Sequence, residues 1–281
     1  MKAFRRALRP FAVTCALILA SASLALAHDL FLKAGTYFVK PQATVQLTAL
    51  NGTFSTSEGS VTRDRLIDLA MVGPGGRSRA DTSAWLAKGR ASKWSAKVGA
   101  EGTYVFGASL HPRIIALKAS EFNAYLASDG LPDVLAARKA SGELAKPSRE
   151  RYAKHVKALV QAGDARTASY GTVLGYPAEI VPLDNPYESA KGQGGRTMRV
   201  RALVDGAPVA NQVVLAGGRS DSGARLPEQT VRTDAQGVAT VALSKRGVWY
   251  VKFIRMVKIP ASAKDSVDYE SKWATLTFAV R

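Results

Sequence analysis

Residues 248–256, VWYVKFIRM, decide the class of fold. Val248, Tyr250, Lys252 and Ile254 alternate with Trp249, Val251, Phe253 and Arg255. A period of two in a stretch this rich in aromatic and β-branched residues is the pattern of a strand, whose successive side chains point to opposite faces. The face carrying Trp249, Val251 and Phe253 is the stronger core face. The same reading extends to RTMRVRALVDG (196–206), PVANQVVLAGG (208–218), QTVRTDAQGVATVALS (229–244) and WATLTFAVR (273–281). Asp205-Gly206 and the Asp234–Gly237 turn are hairpin signals. Residues 196–281 are therefore expected to form a β-sandwich of immunoglobulin-like or transthyretin-like type.

Upstream the pattern is again β. In ATVQLTALNGTF (43–54), Val45, Leu47 and Ala49 alternate with Thr44, Gln46 and Thr48 until Asn51-Gly52 signals a turn. RLIDLAMVGPGG (65–76), KWSAKV (93–98) and TYVFGASL (103–110) give further strands separated by Gly-containing turns. The periodicity then becomes helical. Ser120 is a plausible N-cap for EFNAYLAS (121–128), where Phe122, Tyr125 and Leu126 share a face, and Gly130 ends it. PDVLAARKAS (132–141) opens on Pro132 and stops before Gly142. In PSRERYAKHVKALVQA (147–162), Tyr152, Val156, Leu159 and Val160 form a stripe at helical spacing. Strand character resumes at AEIVPL (178–183), and DNPYESAKGQGG (184–195) has linker composition. The expected fold is mainly β. It comprises an N-terminal β-sandwich over 28–185, with a helical insertion at about 119–163, and a C-terminal β-sandwich over 196–281.

Residues 1–27 read as a secretory signal peptide. Lys2, Arg5, Arg6 and Arg9 precede an uncharged stretch, and Ala25-Leu26-Ala27 supplies the small-x-small cleavage pattern. Cleavage there makes His28 the first mature residue and places the protein in the periplasm or outside the cell. The only cysteine, Cys15, lies within this leader and follows Thr14, which is poor lipoprotein context. A mature chain beginning at His28 has no disulfide, no thiolate ligand and no cysteine nucleophile. Its formal charge, +17 for the whole chain, becomes +13 without the four leader cations. For an exported protein this favours an anionic envelope surface over nucleic acid, for which no binding motif is present.

Several stretches together resemble a family of exported bacterial proteins of unknown function, described in places as a nickel-transport-complex subunit-like domain. They are AHDLFLK (27–33), LNGTFSTSE (50–58), GTYVFGASLHPR (102–113), LGYPAEIVPLDNPY (174–187) and VDYESKWATLTF (267–278), with the long segment LPDVLAARKASGELAKPSRERYAKHVKALVQAGDAR (131–166). The resemblance covers the mature chain. It implies an exported β-sandwich protein, not an enzyme, with a role in handling a transition metal (Ni, Co or Cu) beside a membrane transport complex. The chain departs from a dedicated nickel binder in having three histidines and no His-rich tract.

The candidate metal ligands are His28, His111 and His155. An N-terminal histidine offers its α-amine and imidazole Nδ1 to one ion, and both lose protons near neutral pH. Such nitrogen pairs suit Cu(II) or Ni(II) in tetragonal geometry. A second imidazole from His111 or His155 would complete a T-shaped brace. The blander alternatives are a surface turn for His111, which precedes Pro112, and a helix-boundary position for His155, with Glu150, Arg151 and Tyr152 near it. Asp29, Asp64, Glu121 and Glu150 are further carboxylates without a spacing that specifies a ligand set. No nucleophile elbow, phosphate loop, HExxH or dinucleotide motif occurs, so no catalytic residue is assigned. Copper-dependent oxidative cleavage of polysaccharide would need a second histidine and a flat aromatic surface as well as His28. The alternative class is a glycan- or protein-binding module, to which Trp85, Trp94, Trp249 and Trp273 would contribute if exposed. At core spacing most of them are expected to be buried.

Overall fold

The structure is a computed structural model that describes residues 28–188, 196–260, 262 and 266–281. The expected signal peptide and residues 189–195 of the expected linker lie outside the described residues. In chain order the strands begin with β1 (Asp29–Ala34), β2 (Phe38–Val39), β3 (Thr44–Gly52), β4 (Ser57–Gly59), β5 (Leu66–Gly73) and β6 (Gly76–Arg79). β7 (Trp85–Lys88), β8 (Ala91–Lys97), β9 (Gly102–Leu110) and β10 (Arg113–Leu117) follow. Two helices, α1 (Ala119–Ser128) and α2 (Pro132–Ala140), precede β11 (Ser148–Ala162) and β12 (Ala178–Pro182). The remainder is β13 (Thr197–Val204), β14 (Ala207–Pro208), β15 (Val213–Ser220), β16 (Arg225–Arg232), β17 (Val238–Ala242), β18 (Gly247–Lys258) and β19 (Tyr269–Val280).

These strands form three layers. The central sheet runs β16-β15-β18-β19-β11-β9-β5-β6, with β10 and β2 also paired to β11. Strands from both sides of residues 184–195 thus share one sheet, joined where β11 lies parallel to β19, Glu150 opposite Tyr269 through Ala158 opposite Thr277. One face is covered by the sheet β1-β3-β8-β7 with β4. There Leu30, Leu32, Val45, Leu47 and Trp94 pack on Phe106, Ala108, Val156 and Val160. The other face is covered by β12-β13-β14 with β17, where Ile180, Met198, Val200 and Val241 meet Trp249, Val251, Phe253 and Leu276. The fold is mainly β, with sheets packed face to face, and Trp249, Val251 and Phe253 occupy the core face that their alternation indicated.

The helical segment is shorter than the sequence pattern suggested. Phe122, Tyr125 and Leu126 of α1 are buried against Ile254, Met256, Tyr269 and Trp273. Pro132 opens α2. The third expected helix, 147–162, is instead the strand β11, so the helical insertion does not reach 163. The physical reason lies in its neighbours. β11 is paired along its length by β10, β19 and β9. It is buried on both faces beyond Ala153. Val156, Ala158, Val160 and Ala162 face one core and Leu159 the other. Helix propensities differ by tenths of a kcal/mol per residue, and two flanking ladders override them.

Candidate functional site

A cleft of about 430 Å³ opens on the face of the central sheet that also carries α1. Its floor is β18, where Tyr250 and Lys252 point away from the Trp249 core by the same alternation. Its walls are the start of β1, the turn joining β3 to β4, the end of α1 and the β15–β16 hairpin. Gly217 shapes the floor, since a Cβ there would stand 2.7 Å from the Tyr250 hydroxyl. Phe31, Phe54 and Tyr250 form an aromatic trio with ring centroids 4.9 to 5.2 Å apart.

His28 sits at this cleft. Pairing of β1 with β3 sets Asp29 opposite Gly52, and the chain turns back through Thr53–Thr56 into β4, which carries Glu58. His28 Nε2 lies 3.0 Å from Glu58 Oε2, with both side chains partly exposed. Donation of the Nε2 proton to this carboxylate leaves the lone pair on Nδ1. The His28 carbonyl accepts a hydrogen bond from Lys154 Nζ, arriving from β11. Burial pulls the Lys154 ammonium down to about 8, against the opposing pull of Asp29 and Glu150.

Asp29 and Asp129 share Lys252, whose Nζ stands 2.6 Å from Asp29 Oδ2 and 3.0 Å from Asp129 Oδ1. Burial alone would lower the lysine, but the two carboxylates hold it above its ordinary range. Burial raises Asp129, with help from the Asp29 charge and despite Lys252. The second oxygen of Asp29, Oδ1, is buried without a hydrogen-bond partner. Further along β18, the Tyr250 hydroxyl donates to Glu228 Oε2 at 2.6 Å.

The three histidines are not brought together. His155 points to the opposite face of the central sheet from Lys154, where Ser109 Oγ lies 2.9 Å from Nδ1 and the Tyr176 ring packs nearby. Burial lowers its pKa to about 4, and Nε2 has no partner. His111 is exposed in the loop before β10, held through its backbone to Arg65. Among the described residues, no three His, Cys, Asp or Glu side chains converge to hold a metal ion. A metal at His28 would therefore depend on the α-amine that the expected cleavage before it would create. The residues present fit that arrangement: an imidazole with Nδ1 free and Nε2 held by a carboxylate, followed by a buried oxygen lacking a partner.

The remaining candidates have structural partners. Glu121 accepts the Lys118 N–H at the start of α1, and Glu150 is buried against Tyr125 and Ser271. The idea that Glu150, Arg151 and Tyr152 orient His155 on a helix falls with that helix. Asp64 lies exposed in a short 3-10 turn. All four tryptophans are buried, so they provide no exposed stacking platform. Sequence reasoning did not single out Glu58, Asp129, Arg219, Arg225, Glu228 or Lys252. The one usable signal was Lys252, a charge within the otherwise apolar run 248–254.

No helix among the described residues is long and apolar enough to cross a membrane. No curated protein matches the chain. Similar solved structures include a tetra-tandem repeat in the extending region of a large adhesion protein, at 10% identity and TM-score 0.23 over 90% of this chain and 49% of that one. Trypsin-activated alpha-2-macroglobulin from Escherichia coli matches at 12% identity and TM-score 0.22, over 90% of this chain and 16% of that one. The adhesin InvE from Yersinia pseudotuberculosis matches at 12% and 0.22, over 89% and 58%. The chain spans less than two-thirds of each of these, and likenesses this weak say nothing of function. The family model for DUF4198, a domain of unknown function, matches residues 25–256, and the chain belongs to that family.

Proposed function

We propose that this is an exported periplasmic binding protein that takes a transition-metal ion (nickel, cobalt or copper) at its mature N-terminus and delivers it to a membrane uptake system. The observation that carries this reading is the placement of His28 at the cleft with Nε2 on Glu58. A carboxylate on the far nitrogen of a metal-ligating imidazole fixes its tautomer and raises its basicity. The α-amine and Nδ1 of His28 would hold the ion, with Asp29 Oδ1 as an oxygen donor still without a partner. A bound metal supplies a positive charge with tetragonal preference, and the chain supplies orientation and a cleft that admits it. The resemblance to a nickel-transport subunit points the same way.

Calorimetric titration of Cu(II) and Ni(II) into protein purified after authentic export tests this, with a chain extended before His28 beside it. Tight one-to-one binding that disappears in the extended chain is expected. Equal, weak binding in both would overturn the reading and leave a glycan- or protein-binding module as the better account.

A further inference from the structure

Four acids, Asp29, Glu58, Asp129 and Glu228, and three fixed cations, Lys252, Arg219 and Arg225, line the cleft, and they are not paired one to one. Each acid has a partner: Glu58 has His28, Asp29 and Asp129 share Lys252, and Glu228 accepts from Tyr250. Two guanidinium groups stand apart from these acids, in no ion pair among the described residues. Arg219 Nε reaches Ser55 Oγ at 3.0 Å and Nη1 reaches the Gly223 carbonyl at 3.1 Å, both neutral oxygens. Arg225 is exposed and has no side-chain partner among the described residues. The pair are direct cross-strand neighbours, Arg219 of β15 opposite Arg225 of β16. Like charges directly opposite one another destabilise a sheet, a cost that an anion bound between them would offset, and guanidinium forks match a carboxylate in bidentate geometry.

The site is also far larger than an ion needs. Metal–nitrogen bonds are about 2 Å long, whereas 430 Å³ falls among clefts that enclose small organic molecules, roughly 300–1,000 Å³. Along β18, Val248 is the register partner of Arg219, and Lys252 lies four residues further, about 13 Å at strand rise. The Phe31, Phe54 and Tyr250 rings line the cleft with them.

From this we infer that the metal reaches the cleft as a chelate of a small organic polycarboxylate, one carboxylate of which is clasped by Arg219 and Arg225. The inference rests on the metal reading above and names the form in which the ion is taken. A polycarboxylate is preferred to inorganic phosphate because it can ligate the metal and still offer a carboxylate to the arginines.

The experiment is a calorimetric titration of the mature protein with aqueous Ni(II), Ni(II)–citrate, citrate alone and inorganic phosphate. The double variant R219Q/R225Q and the chain extended before His28 run in parallel. Ni(II)–citrate is expected to bind at least tenfold more tightly than aqueous Ni(II), and the double variant to reduce that ratio at least tenfold. The double variant should keep the wild-type circular dichroism, Tm and aqueous Ni(II) affinity, so that a lowered ratio reports the arginines and not a lost fold or metal site. The extended chain should lose aqueous Ni(II) yet keep citrate. An unchanged ratio in the double variant, or citrate stripping the metal from the protein, would overturn the chelate and leave the His28 reading intact. Phosphate binding as tightly as citrate would also overturn it, as a general anion site. Loss of the metal reading itself would show separately, as equal Ni(II) binding in the mature and extended chains.

Discussion

The two faces of the central sheet treat buried charge in opposite ways. On the β12–β13 side, Lys157 and Glu179 are almost wholly buried 2.8 Å apart. Glu179 also accepts the backbone N–H groups of Leu174 and Tyr176. That cluster is closed, and its groups serve the fold. On the β1 side, Lys252 with Asp29 and Asp129 borders an opening, and the surrounding groups leave Asp29 Oδ1, His28 Nδ1 and two arginines short of partners. His155 on the closed side has an orphan nitrogen too, yet it is sealed beneath a sheet. What separates a ligand site from a structural polar cluster here is access combined with unfilled bonding capacity, more than burial or pKa shift.

This contrast can be broken first at the closed cluster. Lys157→Met leaves the Glu179 carboxylate buried without its cation, a change that costs about 3 to 5 kcal/mol and lowers Tm on the order of 10 °C. Metal affinity should stay at the wild-type value. Thermal unfolding with a parallel titration checks both, and a large loss of affinity in a folded protein would mean that the faces are coupled.

The second effect concerns His155. Its folded pKa of about 4 lies below the unfolded value near 6.5. The folded state therefore favours the neutral ring, and this contribution is complete above pH 6.5 and lost as pH falls toward 4. At about 1.4 kcal/mol per pH unit it amounts to roughly 3 kcal/mol. Denaturant unfolding at pH 7 and pH 4.5 should show wild type losing more stability than His155→Gln by about that amount. Parallel losses would contradict the assignment.

The open side should respond in binding more than in stability. Glu58→Gln is expected to weaken Cu(II) or Ni(II) binding about 10- to 100-fold. Its partly exposed pair with His28 is worth less than about 1 kcal/mol to folding. An unchanged affinity would remove Glu58 from the site. The smallest effect is expected from Arg225→Gln, which relieves the opposed charge on Arg219. Stability should hold or rise by a few tenths of a kcal/mol, as where a site is kept at some cost to the fold. A clear fall in Tm would show that Arg225 has a structural partner.

Much of the architecture is legible in local pattern. Val45, Leu47 and Ala49 are buried as their alternation requires. Helix α2 opens on Pro132 and α1 stops before Gly130 as expected, but the expected N-cap Ser120 lies inside α1, whose N-cap is Lys118. β11 was not legible because Glu150, Lys154, His155, Lys157 and Gln161 occupy buried positions, each matched by a nonlocal partner or the sheet itself. Those polar residues broke the period of two and left an apparent helical stripe. The cleft was half legible. His28 stood out because cleavage would make it terminal, whereas Lys252 meets Asp29 from 223 positions away and Asp129 from 123. No local spacing encodes such a meeting.

The central claim is that His28 holds a metal through its own α-amine and imidazole, and electron paramagnetic resonance of the Cu(II)-loaded mature protein tests it most directly. The account predicts a tetragonal spectrum with hyperfine structure from two nitrogens, lost when residues precede His28 and retained in His111→Gln and His155→Gln. A spectrum unchanged by the N-terminal extension, or one lost with either of the other histidines, would contradict it.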